Sequence, residues 1–300
     1  MNISELFKNK NCVYSLEVFP PKKVGSIETV YNTLYGLRGL PVDYISVTYG
    51  AGGSEQQRSK TCEIASLIKK EYGIEPVSHL TCVGSTKEEI ASILASLKEA
   101  GIQNILALRG DIPADSASTG DQPVMAFHHA SDLAAFIRET DPYFNVTGAC
   151  YPECHVDAAN LDEDIANLRK KVDAGVTQLT TQLFFDNEAF YRFREKTDKA
   201  GINVPISAGI MPIVKKTQIE RVVSMCGASI PPKFARLISR YSESPDALYQ
   251  AGLSYTVDQI TDLVASGVRG IHLYTMNNVD VAKYVTNATE SLIKSVNRKT

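Results

Sequence analysis

No stretch of this chain approaches the ~20 consecutive apolar residues that span a bilayer, and the polar start MNISELFKNKN lacks the apolar core of an export signal. No run of lysine and arginine interleaved with aromatics marks a nucleic-acid footprint. The 31 basic and 34 acidic residues leave a formal net charge of −3. No membrane, nucleic-acid or export role is expected from such a chain, and a cytoplasmic setting is. Cysteine is sparse: six thiols (Cys12, Cys62, Cys82, Cys150, Cys154, Cys226) are scattered over 300 residues, which suits a reducing compartment and free thiols. Cys150-x3-Cys154-His155 has metal-ligand residue types. A second ligand pair at finger spacing is missing, however, and a structural zinc wants four ligands, so no metal is expected. Gly-x-Gly-x-x-Gly does not follow an early strand, which weakens the case for a doubly wound dinucleotide fold. No linker-like stretch divides the chain in two.

What is there is a core-forming composition, 44% hydrophobic and 22% charged, arranged as strand then helix, repeatedly. Strand-like runs fall at Val13–Phe19, Tyr44–Thr48, Val77–Cys82, Ile105–Leu108, Val146–Cys150, Gln178–Leu183, Val204–Ala208 and Ile271–Tyr274. Between them apolar residues recur three and four apart. Thr86-x-x-Glu89 reads as a capping box before Thr86–Ala100, with Gly101 as its C-cap. Ser54–Tyr72, Leu161–Ala174 before Gly175 and Glu188–Ala200 before Gly201 are further helices. Eight strands in 300 residues, roughly one unit per 37, is the rhythm of an α/β (β/α)8 TIM barrel, and residues 1–300 are expected to form one such domain. Two places break the rhythm. Ile112–Val124 is a Pro/Ser/Gly/Asp loop of a length usually tied to function, and Pro231–Tyr241 and Pro245–Ser266 add helix before the eighth strand.

Active sites of such barrels are built at the C-terminal strand ends. In order these carry Glu17; Thr48-Tyr49-Gly50; His79 to Cys82; Arg109-Gly110-Asp111; Tyr151-Pro152-Glu153-Cys154-His155; Gln182; Gly209; and Tyr274. Glu17 ends a buried strand at Pro20-Pro21, where desolvation favours the neutral acid and so a proton donor. Alternatively it faces water or pairs with Lys22 or Lys23. Thr48 has the alternative of a plain strand residue, His79 of a satisfied core histidine, and Tyr151 and Tyr274 of packing at the mouth. Arg109 has the alternative of an ion pair with Asp111. Gly52-Gly53-Ser54 is either a phosphate cradle or a flexible turn. Asp164, Asn167 and Lys171 share a helix face with Lys170 beside them, which a solvated face would also explain.

LEVFPPK (Leu16–Lys22), DYISVTYGAGGS (Asp43–Ser54), HLTCVG (His79–Gly84), NILALRGD (Asn104–Asp111), YPECH (Tyr151–His155), RKKVDAG (Arg169–Gly175), TTQLFFDN (Thr180–Asn187), ISAGIMPI (Ile206–Ile213) and GIHLYTMN (Gly270–Asn277) resemble methylenetetrahydrofolate reductases, in that family's order. The resemblance implies a (β/α)8 barrel with non-covalent FAD on its rim. It implies ping-pong transfer from NADH or NADPH to 5,10-methylenetetrahydrofolate, and a homo-oligomer. By resemblance Glu17 is the acid that protonates the folate N10, and Asp111 lies between flavin and pterin. Thr48, His79, Leu108, Arg109, Gly110, Asp111, His129, Ala130, Tyr151, His155, Ala158, Asp164, Asn167, Lys170 and Lys171 match flavin contacts. Glu17, Asp111, Gln182 and Tyr274 match substrate contacts. Two positions depart from the pattern: no aromatic stands near Lys215–Thr217, and Asn278 replaces a frequent arginine. The chain stops at Thr300, so regulation by S-adenosylmethionine is not expected. A flavin- or folate-holding subunit that takes electrons from a partner protein is the alternative reading. A proline dehydrogenase-like oxidase fits less well with Glu17, Asp111 and Gln182 together.

Overall fold

The computed structural model describes residues 1–20, 27–49, 55–111, 126–219, 222 and 227–298. Lys22, Lys23, Gly50, Gly52-Gly53-Ser54, the segment 112–124 and Cys226 lie outside them. Eight parallel strands close a barrel in sequence order, β1 to β8. They are β1 (Val13–Val18), β2 (Tyr44–Val47), β3 (Glu75–Thr81), β4 (Asn104–Leu108), β5 (Asn145–Cys150), β6 (Gln178–Thr181), β7 (Ile206–Ile210) and β8 (Gly270–Tyr274). Around and below them lie α1 (Ser4–Asn9), α2 (Ile27–Leu37), α3 (Glu55–Tyr72), α4 (Lys87–Glu99), α5 (Ala130–Thr140), α6 (Leu161–Asp173), α7 (Asn187–Lys199), α8 (Pro232–Tyr241), α9 (Pro245–Ala265) and α10 (Val279–Asn297). The Thr86/Glu89 capping box forms at α4.

Strand side chains alternate between faces. Leu16, Val18, Ile45, Val47, Leu80, Ile105 and Ala107 belong to the main buried core. Ser15, Glu17, Ser46, His79 and His272 meet one another inside the barrel. The N-terminal end is closed by α1, whose Phe7, with Ile3, clusters with Val13, Tyr44, Val77 and Leu106. Above that plug the interior is polar, with Ser15, Ser46, Thr147, Gln178, Thr180, Ser207 and His272 all buried. A cavity of only about 10 Å³ remains among Tyr44, Ser46, Thr147, Thr180 and His272, room for one water at most.

The strand from Val204 is displaced. Pro205 has no N–H for the ladder, its carbonyl accepts from Leu179 N–H, and β7 runs Ile206–Ile210. Gly209 therefore lies inside a strand rather than at its end. A Cβ there would stand 2.3 Å from the Thr181 carbonyl oxygen and 2.7 Å from the Tyr274 hydroxyl. Glycine is what lets Tyr274 reach across to donate to Thr181 O at 2.6 Å.

Candidate active site

The first stave of the barrel ends in a clamp. Past β8 the backbone turns through Met276 (φ 51) and Asn277 (φ 54), a left-handed conformation that costs a non-glycine residue about 1–2 kcal/mol. Asn277 Oδ1 accepts from Phe19 N–H at 3.0 Å and its Nδ2 donates to Phe19 O at 2.9 Å. Thr275 Oγ1 donates to Glu17 O at 2.6 Å and accepts from Asn277 N–H at 3.1 Å. These four bonds hold the backbone around Glu17.

The Glu17 side chain is 17% exposed. Its Oε2 lies 3.5 Å from His79 Nε2, 3.5 Å from His272 Nε2 and 3.5 Å from Ser46 Oγ. No lysine or arginine takes part in these contacts. His79 is no satisfied core histidine: its buried Nε2 has no hydrogen-bond partner among the described residues. Burial lowers its pKa to about 4, against the opposing pull of the Glu17 charge. His79 thus stays neutral where a histidine of the unfolded chain, near 6.5, begins to take a proton. The unfolded state binds more protons in that window, so stability falls as pH drops from 6.5 towards 4. Urea unfolding from pH 7 to 4.5 is expected to show His79→Gln losing up to about 3 kcal/mol less stability than the parent over that range. Parallel curves would contradict this.

A second group of residues gathers after β4 and β5. Gly110 sits at φ 88, and a Cβ there would touch Thr81 Cβ at 3.0 Å, so close backbone packing requires glycine. Arg109 does not pair with Asp111. Its Nη2 donates to Asp157 Oδ2 at 2.7 Å, and Asp111 is exposed. Leu108 packs partly buried on the lower cluster. Tyr151 meets the His155 ring edge-on at 4.5 Å, and burial raises its hydroxyl pKa to about 12. His155 N–H donates to Asp164 Oδ2 at 3.0 Å, its Nδ1 accepts from Asp157 N–H at 3.0 Å, and Ala158 N–H returns to His155 O at 3.0 Å. Glu153 accepts from Ser229 N–H at 3.2 Å, tying this loop to the chain after β7. His129 caps α5, where Ala130 is the first residue.

On α6 the shared face is only partly as the spacing implies. Lys170 is exposed and donates to Asn167 Oδ1 at 3.0 Å. Lys171 turns inward and donates to Ala149 O at 2.6 Å. Burial pulls the Lys171 ammonium down and pushes the Asp164 carboxyl up, each opposed by the other's charge. Gln182 is half-buried, and its Oε1 accepts from Leu183 N–H at 2.9 Å. Thr48 N–H continues the β1 ladder to Val18 O at 3.0 Å.

Reading strand ends alone misses Ser15, Ser46 and His272, which sit one pleat below the mouth. Their signal is the period-two pattern: Ser15 precedes Glu17, and His272 precedes Tyr274, by two residues on the same face. Asn277 and Thr275 carry no signal beyond asparagine's tolerance of left-handed backbone. Among the described residues no group of His, Cys, Asp and Glu has metal-holding geometry. Nor is any described helix long and apolar enough to cross a membrane.

A family model described as Methylenetetrahydrofolate reductase matches residues 2–290. A 5,10-methylenetetrahydrofolate reductase of Escherichia coli (strain K12) is 35% identical over 268 residues, covering 89% of this chain and 87% of its own. The Pectobacterium carotovorum protein of the same name is 34% identical over the same shares. Methylenetetrahydrofolate reductase (NADH) 1 of Arabidopsis thaliana is 33% identical over 92% of this chain and 48% of its own length. An uncharacterized protein from Clostridium thermocellum, described as binding two copies of 5-methyl-5,6,7,8-tetrahydrofolic acid, superposes with a TM-score of 0.65. It covers 97% of this chain and 99% of its own at 15% identity, a likeness of fold.

Proposed function

The chain belongs to the methylenetetrahydrofolate reductase family, and from that premise we propose that it reduces 5,10-methylenetetrahydrofolate to 5-methyltetrahydrofolate with NADH or NADPH, using FAD held at the barrel mouth. The observation that carries this reading is Glu17: a carboxyl group set inside the mouth, beside two imidazoles and a hydroxyl and with no lysine or arginine partner among the described residues. Such an acid is suited to hand a proton to the folate N10 and open its ring to a cationic methylene, which accepts hydride far more readily than the neutral ring. Asp111, exposed past the end of β4, would favour the positive charge that develops.

The chain's residues fit FAD. The unpartnered buried Nε2 of His79 and the bare Gly110 backbone suit the edge of a flat ring with hydrogen-bonding atoms. Thr48, Leu108, Tyr151, His155 and Gln182 would complete the ring's surroundings. Arg109, Lys170 and the amide end of α5 at His129 and Ala130 would meet the diphosphate, with Ala158, Asp164 and Asn167 beside them. Lys171, committed to Ala149 O, would support that site from below rather than touch it. When bound, FAD supplies a carrier that takes hydride from nicotinamide and gives it to folate. Donor and folate then use one mouth in turn, a ping-pong order.

A second reading, a flavin subunit reduced by a partner protein, is favoured by one observation. Asn278, where an arginine is frequent, caps α10 by accepting from Val281 N–H at 3.2 Å and offers no cation to a nicotinamide phosphate or diphosphate. The test is to purify the chain and identify its chromophore. The expected result is a yellow protein that releases FAD on denaturation and is bleached by NADH or NADPH alone. Colourless protein that gains no flavin on incubation with FAD would overturn the proposal.

A further inference from the structure

Beneath Glu17 lies a closed hydrogen-bonded arrangement that the reaction as described does not use. Ser15 Oγ is 2.7 Å from His272 Nδ1 and 3.4 Å from Ile271 O. Ser46 Oγ is 3.4 Å from His272 Nε2 and 3.5 Å from Glu17 Oε2. His272 Nε2 is itself 3.5 Å from Glu17 Oε2. His272 and Ser15 are 2% and 0% exposed, and a cavity of about 10 Å³ above the α1 plug borders His272.

Ser15 has one hydroxyl proton and three neighbours, His272 Nδ1, Ile271 O and the Tyr44 hydroxyl. With that proton on Ile271 O, Nδ1–H donates to Ser15 Oγ across the short 2.7 Å contact. A neutral imidazole so arranged carries its hydrogen on Nδ1 and turns a bare Nε2 lone pair toward Glu17. A lone pair accepts from a carboxylic acid O–H and repels a carboxylate. The other groups facing the carboxyl agree with a neutral surrounding. His79 on β3 is held neutral by burial. Tyr44 on β2 stacks on His272 at 6.2 Å, and Tyr274 on β8 meets it edge-on at 5.2 Å. Asp111, past the end of β4, is exposed, and among the described residues no lysine or arginine pairs with Glu17.

We propose that His272, with its tautomer fixed by Ser15, is a positioning residue that keeps the Glu17 proton in place for transfer to folate. The step balances without a co-reactant. The O–H bond of Glu17 breaks, N10–H forms, and the carboxylate left behind faces the Nε2 lone pair and Ser46 until it takes a proton from solvent. Removing Ser15's hydroxyl leaves Nδ1–H without its acceptor. The hydrogen then moves to Nε2, donates to the carboxylate and favours loss of the Glu17 proton.

The role assigned to Glu17 rests on the proposed reaction, but the tautomer does not, so two readouts separate the failures. The first is ¹⁵N–¹H correlation spectra of histidine-labelled protein, with the His272 signal identified by its loss in His272→Gln. The expected pattern is a protonated Nδ1 and bare Nε2 in the parent, switched in Ser15→Ala. A protonated Nε2 in the parent overturns the inference whatever the enzyme catalyses. The second is the pH profile of the folate half-reaction followed in single turnovers. In Ser15→Ala its alkaline limb is expected about one pH unit lower, so that the rate above the limb falls about tenfold while the acidic plateau is largely kept. An unmoved limb, or an equal loss at every pH, overturns it. Parent enzyme that does not reduce methylenetetrahydrofolate in single turnovers contradicts the proposed reaction, and leaves the tautomer to be judged by the spectra.

Discussion

Glu17→Gln is expected to lose folate reduction by about 10²–10⁴-fold, the range for removal of a general acid, while the bound flavin is still bleached by nicotinamide. The substitution nearly keeps shape and hydrogen-bonding reach. The amide can still meet Ser46 Oγ and the two imidazoles that lie 3.5 Å from the carboxyl oxygen. What is lost is an acidic proton where the folate ring must open. The split between the two half-reactions matters, because a general loss of folding or of flavin would slow both. Thermal melts and flavin content within error of the parent complete the check. A variant that reduces methylenetetrahydrofolate at the parental rate would take the acid role from Glu17.

Asp111→Asn is the second large effect expected, and its sign differs between the half-reactions. Asp111 stands exposed past the Gly110 turn, and on the proposed reaction its negative charge would favour a developing cation on the folate and oppose added negative charge on a reduced flavin. Neutralising it is expected to slow folate reduction by about 10²-fold, the low end for losing one aligned electrostatic group. It should also raise the flavin potential, by about 30 mV for each 1.4 kcal/mol of relieved repulsion in a two-electron couple. Potentiometric titration with a dye of known potential reads the second effect directly. A lowered potential would place the carboxylate away from the flavin.

The barrel was legible because its strands are short apolar runs between capped amphipathic helices, and each such run became a stave. Where a boundary moved, the cause is local. Pro205 cannot donate, so β7 begins at Ile206 and Gly209 becomes an inward-facing strand residue. The place of Glu17 was legible because it lies near the end of a buried strand just before Pro20-Pro21; its role as acid comes from the resemblance. The supports of Glu17 were not legible. Ser15, Ser46 and His272 are ordinary strand residues until closure of the barrel brings β1, β2 and β8 together. The same limit applies on α6. Spacing put Lys171 and Asp164 on one face, but only packing against β5 shows Lys171 turned to Ala149 O rather than outward.

The most direct test of the whole account is anaerobic stopped-flow on the purified chain, with the two half-reactions followed separately by flavin absorbance. The account predicts that NADH or NADPH bleaches the yellow protein and that 5,10-methylenetetrahydrofolate then restores the colour with one equivalent of 5-methyltetrahydrofolate formed. Protein bleached by nicotinamide yet left colourless by the folate would contradict it.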